Sequence, residues 1–123
     1  QHAPVYTDVC AEVTHFLSGR LHAAHEAGIA DVIIDPGFGF GKTSEHNYAL
    51  LRDLSRLNAL GAPVLAGFSR KRMINEVLGT GPADALNGTT VLNTIALMKG
   101  ASILRVHDVR EAVECVKLVR QMA

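Results

Sequence analysis

Charged side chains follow three short apolar segments of the sequence, at the point where each segment ends. They are one carboxylate, a run of a serine and two cations, and an arginine with a histidine two positions later: Asp35, Ser69-Arg70-Lys71, Arg105 and His107. In parallel α/β folds the carboxyl ends of the strands meet at one rim, and ligands bind there. These residues therefore predict a site at one rim for a polar, partly anionic substrate.

Asp35 and Lys71 each have a functional and a structural interpretation. A carboxylate at the end of an apolar strand is costly to bury unless it is hydrogen-bonded, and it can accept two N–H bonds from an amino-heterocycle. The alternative for Asp35 is a cap of the following turn. Lys71 is expected in the first turn of a helix capped by Ser69, where a cation opposes the helix dipole unless an anion is bound nearby. The alternative is a solvated cluster of surface cations.

Arg105 and His107 lie two positions apart on a predicted strand, so both side chains point to the same side of it. In a barrel, the inward side at the top of a strand belongs to the active site. An ordinary ion pair of Arg105 with Asp108 or Glu111 is the alternative.

A glycine-rich loop follows Asp35, but its spacing disfavours nucleotide binding. A P-loop requires four residues between its first glycine and the Gly-Lys-Thr, whereas Gly37 and Gly41 enclose three. The dinucleotide fingerprint fails because Lys42 stands where its third glycine is required. What remains is a strand-to-helix turn whose glycines allow the backbone to approach a ligand.

Apolar periodicity and turn residues predict the elements that position these groups. The predicted order is a helix from Asp8 ended by Gly28, a strand at 32–35, a helix capped by Ser44 and ended by Gly61, a strand at 63–67, a helix at 70–78 capped by Ser69, a helix at 83–99, a strand at 103–107, and a helix capped by Asp108 that runs to Met122. A leading helix and three strand-helix units indicate an α/β fold with a parallel sheet.

The number of units indicates an incomplete barrel. A (β/α)8 barrel needs eight units and about 250 residues, so residues 1–123 would form one partial domain, about half a barrel. Its outer strands would have bare edges, and the isolated chain is expected to be marginally stable or to associate. The chain begins with Gln1, which suggests that an upstream part is missing.

Composition excludes several classes of partner. Twelve Lys and Arg balance twelve Asp and Glu, so no net charge attracts nucleic acid or an anionic membrane. Cys10 and Cys115 follow no metal or redox spacing and are expected to be reduced thiols. Neither a bilayer-spanning apolar run nor a signal pattern is present, so a cytoplasmic location is expected.

Four segments in order resemble the dihydropteroate synthase family: Ile34-Asp35-Pro36-Gly37-Phe38-Gly39-Phe40-Gly41-Lys42-Thr43, His46-Asn47, Gly67-Phe68-Ser69-Arg70-Lys71 and Arg105-Val106-His107-Asp108-Val109. The resemblance implies the C-terminal half of a pterin-binding (β/α)8 TIM barrel, strands six to eight. It also implies a transferase of folate biosynthesis, which condenses 4-aminobenzoate with 6-hydroxymethyl-7,8-dihydropterin pyrophosphate to give 7,8-dihydropteroate and pyrophosphate. Sulfonamides compete for the aminobenzoate pocket in this family.

Matched position by position, the resemblance implies roles for five residues on the pterin side. Asp35 would bind the amino and ring N–H groups of the pterin, with Gly67 and Lys71 at its edge. Arg105 would stack on the pterin face and, with His107, hold the pyrophosphate. Lys71, Arg105 and His107 are thus the expected catalytic residues.

On the aminobenzoate side, the resemblance implies that Phe40 and Lys71 line the pocket. Arg72 stands where many family members have a serine that helps to hold the aminobenzoate carboxylate. The family's Mg²⁺ contact, its mobile loop and further pterin contacts belong to earlier strands, so no metal ligand is expected here and the chain alone is predicted to be inactive. The whole enzyme is expected to be a homodimer.

The sequence leaves two other functions open. One is a pterin-binding barrel of the methyltetrahydrofolate methyltransferase kind, which passes a methyl group to a corrinoid. The cations at Ser69-Arg70-Lys71 and the Arg105-x-His107 pair argue against it, because methyl transfer leaves no pyrophosphate to hold. The other is a non-catalytic paralogue that acts as a partner or scaffold.

Overall fold

A computed structural model of the chain describes residues 8–39, 41–68 and 71–123. The helices are α1 (Val9–Glu26), α2 (Ser44–Arg52), α3 (Arg72–Leu78), α4 (Leu86–Met98) and α5 (Val109–Arg120), with 3-10 helices at Leu54–Leu60 and Pro82–Asp84. The strands are β1 (Leu65–Ala66) and β2 (Ile103–Leu104). Helices alternate with strands, and the chain has the predicted α/β fold.

The sheet is parallel, and β1 lies between β2 and the segment at Ile34. Leu65 pairs with Ile103 and Ala66 with Leu104, while Ile34 forms a parallel bridge to Val64 on the other side. The strand predicted at 32–35 is therefore reduced to one bridge, and the other two strands are shorter than predicted. Ile34 has one neighbour within the described residues, so ladder hydrogen bonds fix only one of its edges.

The helix that begins near Thr43 differs from the prediction at its start and in its middle. Thr43, not Ser44, is the N-cap: its Oγ1 accepts from the His46 N–H at 3.2 Å, and His46 Nδ1 accepts from the Thr43 N–H at 3.3 Å. This reciprocal capping box satisfies two backbone donors. The helix changes to 3-10 geometry after Asp53, and Gly61 ends it, as predicted, in the left-handed region at φ +75°.

Two further helix starts also differ, and a third agrees in position but lacks its side-chain cap. Lys71 is the N-cap residue of α3 and Arg72 its first helical residue, so the prediction of Lys71 inside the first turn is wrong. Ser69, its predicted cap, lies outside the described residues. The predicted helix at 83–99 is split, because the 3-10 turn at Pro82–Asp84 precedes α4. Asp108 is the N-cap residue of α5, but its side chain accepts no capping bond from the described helix.

The core lies between the sheet and the helices and reaches the rim where the strands end. Phe38 and Phe68, which follow the first two strand segments, are at most 1% exposed. Their ring centroids are 4.5 Å apart with planes tilted by 50°, an arrangement that aromatic pairs favour. The two rings therefore pack against each other within the hydrophobic core. Within the described residues, no helix combines the length and the hydropathy needed to cross a bilayer.

Two helical glycines provide a matched test of packing. A Cβ on Gly88 of α4 would lie 2.4 Å from Ile74 Cγ2 of α3, whereas nothing lies within 4 Å of a Cβ on Gly19 of α1. We expect Gly88→Ala to lower the free energy of unfolding by about 1–3 kcal/mol through overpacking. Gly19→Ala should raise it by up to about 1 kcal/mol through helix propensity. Urea unfolding measures both, and a stabilised Gly88→Ala variant would contradict the packing.

Candidate functional site

An ion pair between Asp35 and Arg105 joins the two outer members of the sheet. Asp35 Oδ2 accepts from Arg105 Nη1 at 2.8 Å, and its Oδ1 accepts from the Gly37 N–H at 2.9 Å. Asp35 thus both caps the following turn and binds a cation. Arg105 pairs with Asp35 instead of the alternatives Asp108 and Glu111. The side chains are 37% and 51% exposed, so a ligand can reach both.

Gly67, which follows β1, lies directly beneath the Arg105 guanidinium. A Cβ at this position would be 2.8 Å from Nη2 and 3.1 Å from Cζ. Arg105 follows β2 and Asp35 follows Ile34, so the pair crosses over the end of the central strand. The absence of a side chain at Gly67 is what makes this crossing possible.

Lys71 reaches the same place from the N-cap of α3. Its Nζ donates to the Phe38 carbonyl at 2.6 Å. Burial lowers the pKa of Lys71; the charge of Arg105 lowers it further, and that of Asp35 opposes the change. The structure therefore brings together Asp35, Gly67, Lys71 and Arg105, four of the site residues predicted from the sequence.

Lys42 is a fourth charged group of this cluster, to which the sequence assigned no role. Its Nζ donates to the Gly37 carbonyl at 2.9 Å. Burial lowers the pKa of Lys42 first, and the charge of Lys71 contributes in the same direction against that of Asp35. The sequence places Lys42 at the end of a glycine loop. That position resembles the lysine of a P-loop, but the glycine spacing does not fit a P-loop, so it indicated no function.

The loop between Asp35 and α2 is fixed by its glycines and by Asn47. Gly37, Gly39 and Gly41 have φ values of +74°, +91° and +61°, in the left-handed region that other residues rarely adopt. Asn47 is 3% exposed; its Oδ1 accepts from the Gly39 N–H at 2.8 Å, and its Nδ2 donates to the Thr43 carbonyl at 3.0 Å. These contacts fix the described residues on either side of position 40, and the Gly37 and Phe38 carbonyls accept from Lys42 and Lys71.

Other predicted site residues lie differently. Arg72 is 88% exposed and its Nε pairs with Glu76, which also accepts from Ser44 Oγ at 2.5 Å. His107 is exposed and two residues beyond Arg105; its role in pyrophosphate binding stays a prediction. Phe40, with Ser69 and Arg70, lies outside the described residues. Among the described residues, His, Cys, Asp and Glu side chains form no group that could hold a metal ion.

The comparison with known proteins agrees with this arrangement. A family model described as "Pterin binding enzyme" matches residues 1–107. The chain belongs to the pterin-binding enzyme family. It is 46% identical over 121 residues to the dihydropteroate synthase of Escherichia coli K12, an alignment that covers 97% of the chain and 43% of that relative. The chain therefore spans less than half the length of this family member.

Solved structures of family members have the same fold. Dihydropteroate synthase from Thermus thermophilus in complex with 6HMPPP superposes with a TM-score of 0.91 at 47% identity, covering 99% of this chain and 51% of that one. The same Thermus enzyme in complex with 4-aminobenzoate gives a TM-score of 0.91 at 48% identity, covering 97% and 47%. The α/β arrangement of this chain is thus that of dihydropteroate synthases.

The charges that act on Lys71 predict opposite effects of two substitutions. Arg105→Gln should raise the pKa of Lys71 toward its ordinary value of 10.5, because it removes a neighbouring cation. Asp35→Asn should lower that pKa further, because it removes the opposing carboxylate. NMR titration of ¹³Cε-labelled lysine measures both. Shifts of equal sign would show that Lys71 does not sense these two charges.

The lowered pKa of Lys71 also sets the sign of a stability effect. Below the pKa of Lys71 in the folded chain, burying the charged ammonium costs stability. Between that pKa and 10.5, Lys71 binds a proton more fully in the unfolded chain than in the folded one. The contribution of Lys71 to stability therefore rises with pH in that window. In a Lys71→Met variant this part of the rise should disappear from unfolding curves recorded as a function of pH.

Proposed function

We propose that residues 1–123 are the C-terminal half of a dihydropteroate synthase barrel, strands six to eight of eight. The complete enzyme condenses 4-aminobenzoate with 6-hydroxymethyl-7,8-dihydropterin pyrophosphate and releases 7,8-dihydropteroate and pyrophosphate. The observation that carries the proposal is the cluster at the rim. One carboxylate, Asp35, is surrounded by the cations of Lys42, Lys71 and Arg105. This charge pattern suits a heterocycle with N–H donors attached to an anionic leaving group.

Asp35 and Arg105 each have a chemical task in this reaction. Asp35 accepts N–H bonds from the pterin, for which Arg105 must leave or share Oδ2. An ion pair as exposed as this one contributes about 1 kcal/mol or less, so a ligand can displace it. The arginine then stacks on the pterin and, with His107, binds the pyrophosphate. These cations stabilise the charge that develops as the pyrophosphate departs and the aromatic amine captures the pterin-methyl carbon.

The aminobenzoate side is supported by fewer contacts. Lys71 Nζ lies beside the loop that leads to Phe40, which fits a pocket lined by both residues. Arg72 would have to leave Glu76 to reach a carboxylate there, and an exposed helix pair of this kind costs only about 0.3–0.5 kcal/mol to break. Sulfonamides would compete for the same pocket. Release of a pyrophosphate, rather than transfer of a methyl group, is the chemistry that needs this many cations.

The remaining half of the barrel would complete both the fold and the site. Ile33, beside the sheet, is 54% exposed, as expected for a strand whose other neighbour is not in the chain. The missing strands would supply the mobile loop and the contact to Mg²⁺. Apolar side chains exposed on α3 and α5, such as Val77 (66%) and Val109 (63%), suit a homodimer contact. The whole enzyme would act in the cytoplasm.

The first test removes the central ion pair. In the full-length enzyme, Asp35→Ala and Arg105→Ala should each weaken binding of a pterin pyrophosphate analogue by about 10- to 100-fold, because each removes a charged group that hydrogen-bonds to the ligand. Arg110→Ala removes a cation whose side chain is 86% exposed and should change nothing. Isothermal titration calorimetry measures all three. Affinities equal to the wild type in both site variants would refute the assignment.

A second test concerns the isolated chain. Residues 1–123 alone should form no dihydropteroate, because half of the site is missing. Adding the N-terminal half of the E. coli relative should restore measurable product if the two halves associate. An assay of dihydropteroate formation with each half and with the mixture decides this. Turnover by the isolated chain would overturn the half-barrel proposal.

A further inference from the structure

Lys42 is the charged residue of the rim that the reaction as described does not use. Its ammonium and that of Lys71 hold consecutive carbonyls of one loop, those of Gly37 and Phe38. Lys71 comes from the far side of β1, whereas Lys42 belongs to the loop itself, five residues beyond Gly37. Two cations from different elements therefore converge on the segment that directly follows Asp35.

The shape of the loop does not require Lys42. Three glycines at positive φ already set the backbone, and Asn47 holds both the Gly39 N–H and the Thr43 carbonyl. Asp35 Oδ1 fixes the Gly37 N–H in addition. An ammonium buried beside such a loop is costly, so a group that served only to close the loop could be neutral. Its charge is what distinguishes Lys42 from these other contacts.

The charges of the cluster do not cancel. Asp35 is the one carboxylate, among the described residues, whose charge acts on the pKa of either lysine. Among these four described residues, Lys42, Lys71 and Arg105 carry three positive charges against the one negative charge of Asp35, so two positive charges remain. Lys42 supplies one of the two. An excess of positive charge attracts an anion, and added salt weakens that attraction where the charges are exposed.

We infer that Lys42 is a positioning residue for the phosphorylated substrate: it holds the Gly37 carbonyl beside Asp35 and adds the positive charge that favours the pyrophosphate-bearing molecule over the other one. This inference rests on the proposed function, since it names the substrate that the residue serves. Lys42 acts through the loop and through the field at the rim. It is not assigned a bond to the reacting atoms.

The test compares the two substrates in the full-length enzyme. Lys42→Met should raise the KM for the pterin pyrophosphate by about tenfold, the effect of removing one nearby charge at intermediate dielectric. The KM for 4-aminobenzoate should change by less than about twofold, since that substrate carries less charge. Lys42→Arg should restore most of the loss because it keeps the cation. Lys117→Met, which removes an exposed lysine of α5, is the matched control.

A purely structural role predicts a different pattern. Asn47→Ala loosens the loop without changing its charge and should affect both substrates. If Lys42→Met raises both KM values equally, or if Lys42→Arg fails to rescue, the inference is wrong. Added salt should weaken pterin pyrophosphate binding less in Lys42→Met than in the wild type. An unchanged salt dependence would also overturn the inference.

Titration with inorganic pyrophosphate separates this inference from the proposed function. Calorimetry should give an affinity for the wild-type enzyme that falls about tenfold in Lys42→Met and not in Lys117→Met. If this occurs in a protein that forms no dihydropteroate, the function is wrong and Lys42 still serves an anion site. If dihydropteroate forms normally but pyrophosphate binding does not depend on Lys42, the inference fails alone.

Discussion

The site depends on an ion pair that must cross the end of a strand. Asp35 and Arg105 follow the two segments on either side of β1, and their side chains meet above Gly67 at 2.8 Å. Any side chain at Gly67 would push the guanidinium from this path. The contact between these two residues, which are 70 positions apart, thus requires both the parallel order of the sheet and the missing Cβ of Gly67. The same exposed pair is weak enough to open for a ligand, which a buried pair would not be.

Unlike the exposed ion pair, the two partly buried lysines beside the loop lower the stability of the fold. Burial lowers the pKa of Lys42 and of Lys71, so holding both ammonium groups near each other costs stability. The loop is kept in place against that cost by the glycine conformations, by the Asn47 amide and by the Phe38–Phe68 ring pair. An anion at the rim would relieve it. The ligand-free cluster is in this sense prepared for negative charge before any substrate arrives.

Local pattern was sufficient for the part of the fold that depends on local interactions. The period of α1, the stop at Gly61 and the placement of charged residues after strand segments could all be predicted. The cap of α2 could not, because Thr43 and Ser44 are adjacent hydroxyl residues and only the backbone angles distinguish them. The partner of Arg105 was missed for a different reason: nearby carboxylates at Asp108 and Glu111 were visible in sequence, whereas the neighbour across the sheet was not. A role for Lys42 could not be predicted from the sequence, because it depends on where the folded loop places its carbonyl groups.

The proposed half-barrel accounts for a site that is formed on one side only. The strand segment at Ile34 pairs with β1 on one edge, and Ile33 beside it is exposed. In the proposed full barrel the absent strands would cover this rim, and a low-dielectric wall there would strengthen every charge interaction of Asp35 and its cations. In the isolated chain the same charges are screened by water. In the proposed enzyme, ligand recognition and catalysis would therefore separate: this chain would hold the charge pattern that selects the substrate, and closure of the barrel would supply the dry environment in which that pattern promotes the departure of pyrophosphate.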